Sequence, residues 1–584
     1  NKWSKITEEN IGNFVAIVLD GKVKSCPIIN TKIDGGSSVI SGSFSSDEAK
    51  DLSNILGSGK LKSKLKILQQ SVVGPSLGEA SINASLKSFL YALLIVLLYM
   101  IFYYYGAGIV SNVALISNLF FIFGVLASTG LVLTLPGIAG IVLTIGMSVD
   151  ANVLIYERIR EELANSKGIR LAIQDGYKSA YTSIIDANVT TLLVAIILLQ
   201  FGEGPIKGFA TTLIIGIITS LFSAIFITRL IISARLNRGK SMSFSTKLTK
   251  GAFKNLNIDF IGKRKVFYVL SVIVILFGGY SLSTKGLDYG IDFAGGRTYI
   301  VNIPDENITN EDVKESLSKV FVNEDGRSQS IQVSKFNDLT ENDPNNSQKI
   351  VEVNAVKITT KYMIDSEDSN ADSIVTSTLI NGLGSNFTED NIVSYQKVAS
   401  TIADDIRSSA WGSIIFSLLV IFLYIFIRFK KWQFSLGAVV AVFHDVLIVL
   451  SVFSIFYGIL PFTLEIDQAF VAAILTIIGY SLNDTVVVFD RVREYMNNNK
   501  KKQVHEFINQ SLNSTLSRTI NTSVTTFFVL LVIFLFGGEV IKGFMFALMV
   551  GVIVGTYSSL FVASPIMLDT IKRKKTTSIR SIKK

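Results

Sequence analysis

Cysteine and histidine are nearly missing from this chain. A single cysteine, Cys26, among 584 residues leaves no partner for an internal disulfide and no cysteine-rich metal site. Two histidines, His444 and His505, are too few for a zinc constellation. No glycine-rich run is followed by the lysine of a phosphate loop; GIDFAGG, from Gly290 to Gly296, reads as a turn. No cofactor is expected, and ATP is not expected to power this chain. Only 17% of the residues are charged, with a formal net charge of +9. That surplus sits between particular apolar runs, which fits an inner-leaflet bias and argues against nucleic acid as a partner.

What fills the chain is hydrocarbon. Hydrophobic residues make up 49%, and the mean hydropathy is +0.46. Eleven apolar runs approach the ~20 residues that a helix needs to cross a bilayer. They lie at about 86–105, 109–132, 135–156, 181–201, 207–230, 266–283, 410–428, 434–457, 467–490, 516–537 and 543–568. Basic residues cluster after the third, fifth, seventh, ninth and last runs, in Arg158 to Lys178, Arg235 to Arg264, Arg428 to Lys431, Lys500 to Lys502 and Lys572 to Lys575. Alternating connections put all of these on one face, read as cytoplasmic. The opposite face receives residues 1–83 and 284–408. Residues 1–83 would lie outside the cytoplasm with no signal peptide, span or initiating Met ahead of them, so an upstream signal-anchor helix is expected to be missing from this sequence.

The outside segments mix strand and helix. FVAIVLD and SSVISGSF read as strands and Ser46 to Gly57 as a helix. TYIVNI and KIVEVNAV repeat the strand texture around the amphipathic EDVKESLSKVF, which suits small α+β modules. Asn-, Asp- and Ser-rich stretches at 323–348 and 364–391 read as solvated, mobile loops.

Two membrane segments read almost as copies: SVDANVLIYER from Ser148 to Arg158, and SLNDTVVVFDR from Ser481 to Arg491. Further on, DANVTTLLVAIILLQFGEGPIKGF, from Asp186 to Phe209, aligns with NTSVTTFFVLLVIFLFGGEVIKGF, from Asn521 to Phe544. The order of soluble segment and helices is kept twice. A parallel repeat of this kind implies two pseudo-symmetric bundles with a working site at their interface near the midplane.

Each copy carries a carboxylate in hydrocarbon, where a charge costs roughly 2.5–3.5 kcal/mol on insertion scales and more in simulations. Asp150 reads either as a titrating relay or as part of a helix–helix hydrogen-bond network. Asp484 is one residue out of register, because Asp150 aligns with Asn483 and Ala151 with Asp484; on a helix that shift turns the side chain by ~100°. Arg518, aligned with Ser183, is either a snorkelling interfacial cation or a permanent counter-charge to the acids. Asp186, aligned with Asn521, divides between helix-end solvation and a pathway entrance. Asn188, Thr190, Thr191, Thr485, Thr522, Ser523, Thr525 and Thr526 either glue helices together or carry water. His444 and Asp445 tempt a proton-relay reading. Neighbours on a helix point ~100° apart, however, so a direct bond between them is not expected, and the first half has no matching pair.

These strings resemble the SecDF family, the fused SecD–SecF accessory component of the bacterial protein translocase, within the resistance–nodulation–division superfamily. LDGKVKSCPIIN, VGPSLG, GMSVDANVLIYERIREE and DANVTT are SecD-like; GIDFAGG, FHDVLIVL, GYSLNDTVVVFDRVRE and SRTINTSVTT are SecF-like. The resemblance implies a polytopic α-helical membrane protein of two pseudo-symmetric bundles, with 5+6 transmembrane helices here and α+β extracytoplasmic domains. Its parts would be the C-terminal portion of a first outside domain (1–83), a SecD-like bundle (84–236), a basic linker (237–264), the first SecF-like helix (265–284), a second outside domain (285–408), a SecF-like bundle (409–571) and a basic tail (572–584). It also implies residence in the bacterial cytoplasmic membrane beside a SecYEG-type channel, with YajC- or YidC-type membrane partners. Protons or sodium would drive late export of unfolded preprotein, and no bond-making chemistry is needed. By motif match, Asp150, Asp484 and Arg518 inherit the ion-relay role. The family's first helix and much of its first outside domain are absent, which leaves that domain's mobile head in doubt. Ala399-Ser400 replaces the family's Gly-Pro before the seventh span. Rival readings are a small-molecule or lipid exporter of the same superfamily and a passive scaffold of the channel.

Overall fold

A computed structural model describes residues 2–19, 22–35, 38–58, 67–253, 256–303, 308–322, 331–343, 346–366, 368, 370–498 and 503–571. Lys254, the runs Lys500 to Lys502 and Lys572 to Lys575, the tail 572–584 and residues 323–330 lie outside the described residues. The chain divides into two compact units, 1–67 and 68–584.

The first unit holds the helix Lys2–Glu9, a two-stranded hairpin (Ile17–Leu19 with Lys22–Ser25) and the helix Ser46–Ser58. Among the described residues, 38–44 of the expected strand SSVISGSF are not in a strand, and Val39 stands 92% exposed.

Among the described residues of the second unit, eleven helices are long and apolar enough to cross a membrane. They are α1 (Pro75–Tyr104), α2 (Gly106–Thr129), α3 (Leu135–Ala164), α4 (Ile169–Phe201), α5 (Pro205–Asn237), α6 (Arg264–Thr284), α7 (Ser400–Phe429), α8 (Trp432–Phe456), α9 (Gln468–Asn498), α10 (Val504–Phe536) and α11 (Glu539–Ile571). α3, α4, α9 and α10 run past the apolar runs that announce them. The overhangs of α3 and α9, ERIREELA and RVREYMNN, carry Glu and Arg, which favour helix without being hydrophobic. α3 and α9 are the most buried spans, at 83% and 89% of their apolar windows, so they form the centre.

The outside domain is a five-stranded antiparallel sheet. Its strands are β1 (Gln69–Val73), β2 (Gly296–Asn302), β3 (Ile331–Asp343), β4 (Asn346–Thr360) and β5 (Ile392–Val398), in the order β1-β5-β2-β4-β3. Alternation along β2 sorts the two faces. Tyr299 and Val301 pack under the helices Asn310–Val320 and Ala371–Leu383, while Ile300 packs with Leu77 of α1. Two expected loops are corrected here. Residues 331–343 and 346–348 belong to the β3–β4 hairpin, and 371–383 is a helix. Backbone pairing along the ladder and burial of Val375 and Leu379 outweigh the polar composition that suggested loops. Gly295 and Gly296 enter β2 with φ of +67° and +144°, and a Cβ on Gly295 would lie 3.1 Å from Ser400 Cα, so this turn needs glycine.

Candidate functional site

The two halves meet through repeat-equivalent residues. α3 packs on α10 and α9 on α4. Small residues set both crossings: a Cβ on Gly146 would lie 3.2 Å from Thr526 Cα, and one on Gly479 would lie 3.4 Å from Thr191 Cα. Gly146 aligns with Gly479 and Thr191 with Thr526, so one contact is made twice. At the centre Asn483 Nδ2 donates to Asp150 Oδ2 at 3.2 Å. These two also occupy equivalent positions, so the pseudo-dyad passes between them.

Arg518 Nη1 donates to Asp484 Oδ1 at 2.5 Å, with Arg518 4% and Asp484 1% exposed. Arg518 is therefore a buried counter-charge and not a snorkelling cation. Asp150, 5% exposed, lines a cavity of about 20 Å³ together with Asn188, Thr191, Asn483 and Arg518, roomy enough for one water. Among the described residues, Asp150 Oδ1, Asp484 Oδ2 and Arg518 Nε have no hydrogen-bond partner. Buried polar atoms without partners usually mark water, an ion or a proton. A guanidinium stays charged. One arginine and two carboxylates sum to −1 when both acids are ionised and to zero when one is protonated, so the site as a group has a place for one proton.

Arg518, Leu154 and Val487 also line a vestibule of about 800 Å³ on the side of the basic connections. Beside it, Arg158 and Arg491 cross between the halves. Arg158 bonds Glu494 at 3.1 Å and Glu161 at 3.3 Å, while Arg491 bonds Glu494 at 2.8 Å and also Glu161. Arg158 aligns with Arg491 and Glu161 with Glu494, so this ring of four charges obeys the same pseudo-symmetry.

Other sequence candidates lie elsewhere. Asp186 is neither solvated nor in the cavity. It accepts from Arg428 Nε at 2.6 Å and from the Tyr424 hydroxyl at 3.2 Å, tying α4 to α7. Its equivalent, Asn521, accepts from Tyr99 of α1 at 2.5 Å. Thr485 and Thr522 bond carbonyls of their own helices, and Ser523 bonds Thr556 at 2.6 Å; none of the three lines the cavity. His444 and Asp445 do bond each other, Nδ1 to Oδ1 at 2.9 Å, contrary to the expectation from their ~100° separation. A long imidazole can turn back along the helix surface toward its neighbour.

Composition gave no sign of a carboxylate group at the outer end of α9. Asp467 caps that helix by accepting from Phe470 N at 2.7 Å, and Asp292 accepts from Gln468 N at 3.1 Å. Glu465 is bonded at 2.6 Å by Lys357 of β4. Burial and then the neighbouring Asp292 push the Asp467 carboxyl up to about 7; burial and then Glu465 push Asp288 up to about 6. The sheet and the helix carrying Asn483 and Asp484 are thus joined through titratable groups.

Comparisons with known proteins agree with this architecture. The family profile described as "Protein export membrane protein SecD/SecF, C-terminal" matches residues 57–238 and 379–573. "SecD/SecF GG Motif" matches 280–302, and "SecDF, P1 head subdomain" matches 1–63, so the head left in doubt by sequence is matched here. The chain is similar to the protein translocase subunit SecDF of Brucella abortus, 34% identical over 97% of this chain and 71% of that one. It is likewise similar to SecDF of Bacillus subtilis, 32% identical over 94% and 72% of the two chains. A crystal structure of SecDF from Thermus thermophilus, described as a translocon-associated membrane protein, superposes with a TM-score of 0.78 at 31% identity, covering 98% of this chain and 74% of that one. SecDF in a "Super-membrane-facing form" gives 0.67 at 32% identity, covering 99% and 74%. Fold and repeat define a multi-pass helical membrane protein of two fused, pseudo-symmetric halves. The chain belongs to the SecDF family.

Proposed function

We propose that this chain is an accessory subunit of a Sec-type protein translocase of the bacterial cytoplasmic membrane, and that it uses a proton gradient, or a sodium gradient, to promote late export of unfolded preprotein. The names of its SecDF relatives support a role in protein export. A SecYEG-type channel is the expected neighbour, with YajC- or YidC-type proteins as further partners.

One observation carries the ion-coupled reading: Arg518 is bonded to Asp484 and also lines the cavity that holds Asp150 and the vestibule beside it. An ion reaching Asp150 from the vestibule redistributes Arg518 between two acids. α9 bears one of those acids and, at its outer end, the contacts to the sheet, so a change at the pair is passed outward. One charge crossing 100 mV releases ~2.3 kcal/mol, enough to shift a two-state equilibrium roughly fiftyfold.

The test is proton and sodium flux in proteoliposomes holding the full chain. Asp150→Asn keeps an acceptor for Asn483 and is expected to leave the melting temperature near that of the parent while abolishing flux. Unchanged flux in a well-folded Asp150→Asn protein would refute a route through Asp150, and a parent protein with no gradient-driven flux would leave the scaffold reading.

A further inference from the structure

Deep in the second half, a hydrogen-bonded chain joins four helices. Asp445 and His444 of α8 are both buried. Asp445 Oδ2 accepts from Ser481 of α9 at 2.6 Å and from Ser558 of α11 at 2.7 Å. Oδ1 meets His444 Nδ1 at 2.9 Å, and Nε2 meets Ser271 Oγ of α6 at 3.0 Å. Ser271 Oγ lies 3.0 Å from the Tyr557 hydroxyl of α11, which donates to the Phe267 carbonyl at 3.0 Å.

The carbonyl at the end of this chain fixes the direction of every bond before it. A carbonyl only accepts, so Tyr557 spends its one hydrogen on Phe267. Tyr557 oxygen then accepts from Ser271, whose only hydrogen is used there. Ser271 oxygen must accept in turn, so His444 Nε2 carries a hydrogen. The contact between Nδ1 and Oδ1 needs one more. Whether that proton rests on nitrogen or oxygen, the pair is neutral as a unit and holds one proton more than an imidazole beside a carboxylate. If it leaves, Ser271 must turn its hydrogen to Nε2, and the Ser271–Tyr557 contact then has no hydrogen between two oxygens.

We propose that His444 and Asp445 together form a second proton-binding site, separate from Asp150, Asp484 and Arg518, whose occupancy sets the direction of the hydrogen-bond chain linking α6, α8, α9 and α11. The groups that face it are Ser271 and Tyr557 from α6 and α11, and Ser481 and Ser558 from α9 and α11; none is a permanent cation. Asp484 lies on α9, the helix that supplies Ser481, and is held by Arg518. A buried carboxylate lacking a fixed counter-charge finds one only in a protonated imidazole, or is neutralised by the proton itself. The first half has no equivalent pair, so the site makes the two halves chemically unequal. Because Ser481 is on α9, the same helix senses both sites.

With only two histidines in the chain, ring-nitrogen NMR of the full-length His505→Gln protein reports on His444 alone. The expected result at neutral pH is a hydrogen on Nε2 and a hydrogen-bonded Nδ1, with the extra proton lost reversibly on alkaline titration. Asp445→Asn should keep Nε2–H but abolish that titration, and Ser271→Ala should weaken proton binding by about tenfold. Asp150→Asn should leave the His444 signals in place, which separates this site from the relay. A bare Nε2 at neutral pH overturns the proposal. So does a His444 signal that follows sodium at constant pH and ignores pH at constant sodium.

Discussion

Arg518 and Asp484 can be removed singly or together, and the two outcomes separate stability from function. The guanidinium lies 2.5 Å from the carboxylate and both side chains are almost wholly buried. Removing one partner of such a pair strands the other charge at a cost of about 3–5 kcal/mol, whereas replacing both with apolar residues of similar volume is close to neutral. For a chain of 584 residues unfolding as one unit, that cost lowers the melting temperature by only ~2–4 °C. Arg518→Met should lose the full amount. Asp484→Leu should lose less, because Arg518 keeps Asp150, in the same cavity, as its remaining acid. The double variant should melt within about 1 °C of the parent. Gradient-driven flux should be absent in all three. The assays are thermal melting in detergent and flux in proteoliposomes on the same preparations. A double variant that melts like the parent and still conducts would refute the relay, and an unshifted Arg518→Met would refute the pairing itself.

The ring of charges beside the vestibule should behave symmetrically. Double-mutant cycles for Arg158 with Glu494, and for Arg491 with Glu161, should each give coupling of roughly 0.5–1 kcal/mol of the same sign; a zero in either breaks the pseudo-symmetry argument. Substituting Gly146→Leu or Gly479→Leu forces a side chain against the backbone of Thr526 or Thr191, and should cost about 1–3 kcal/mol in melting experiments. A neutral result at either position contradicts the close crossing. Asp467 supplies a pH signature. Its folded value is raised to about 7, so its share of stability is complete below about pH 4 and is lost as pH rises through 7. Asp467→Asn, which keeps an acceptor for Phe470 N, should melt higher than the parent at pH 8.5 and by only about half as much at pH 5.5; a pH-independent difference would count against the raised value.

Hydropathy placed all eleven spans, because lipid imposes a long apolar window on any crossing helix. The repeat located Asp150 and Asp484 and paired Asp150 with Asn483 on paper. Only the structure shows that pair in contact across the dyad. The partner of Asp186 is illegible in sequence because Arg428 is distant along the chain and reads as an inner-face anchor. His444 and Asp445 were separated by a rule about Cβ directions that ignores how far an imidazole reaches. The polar composition of the β3–β4 hairpin reads as loop, because ladder pairing leaves little trace in composition. β1 escaped notice for a different reason: five residues without strong alternation, paired to a strand more than three hundred positions later.

That strand has a consequence for how the polypeptide is wired. β1 runs through Gly74 directly into α1, and β5 runs through Ala399 directly into α7, the two lying side by side with Gln69 opposite Val398. Each half of the repeat therefore contributes a rung to one ladder. A backbone severed in the linker 237–264 would leave one product's β1 laddered on the other's β5, and a tilt of the outer sheet pulls on both bundles at once.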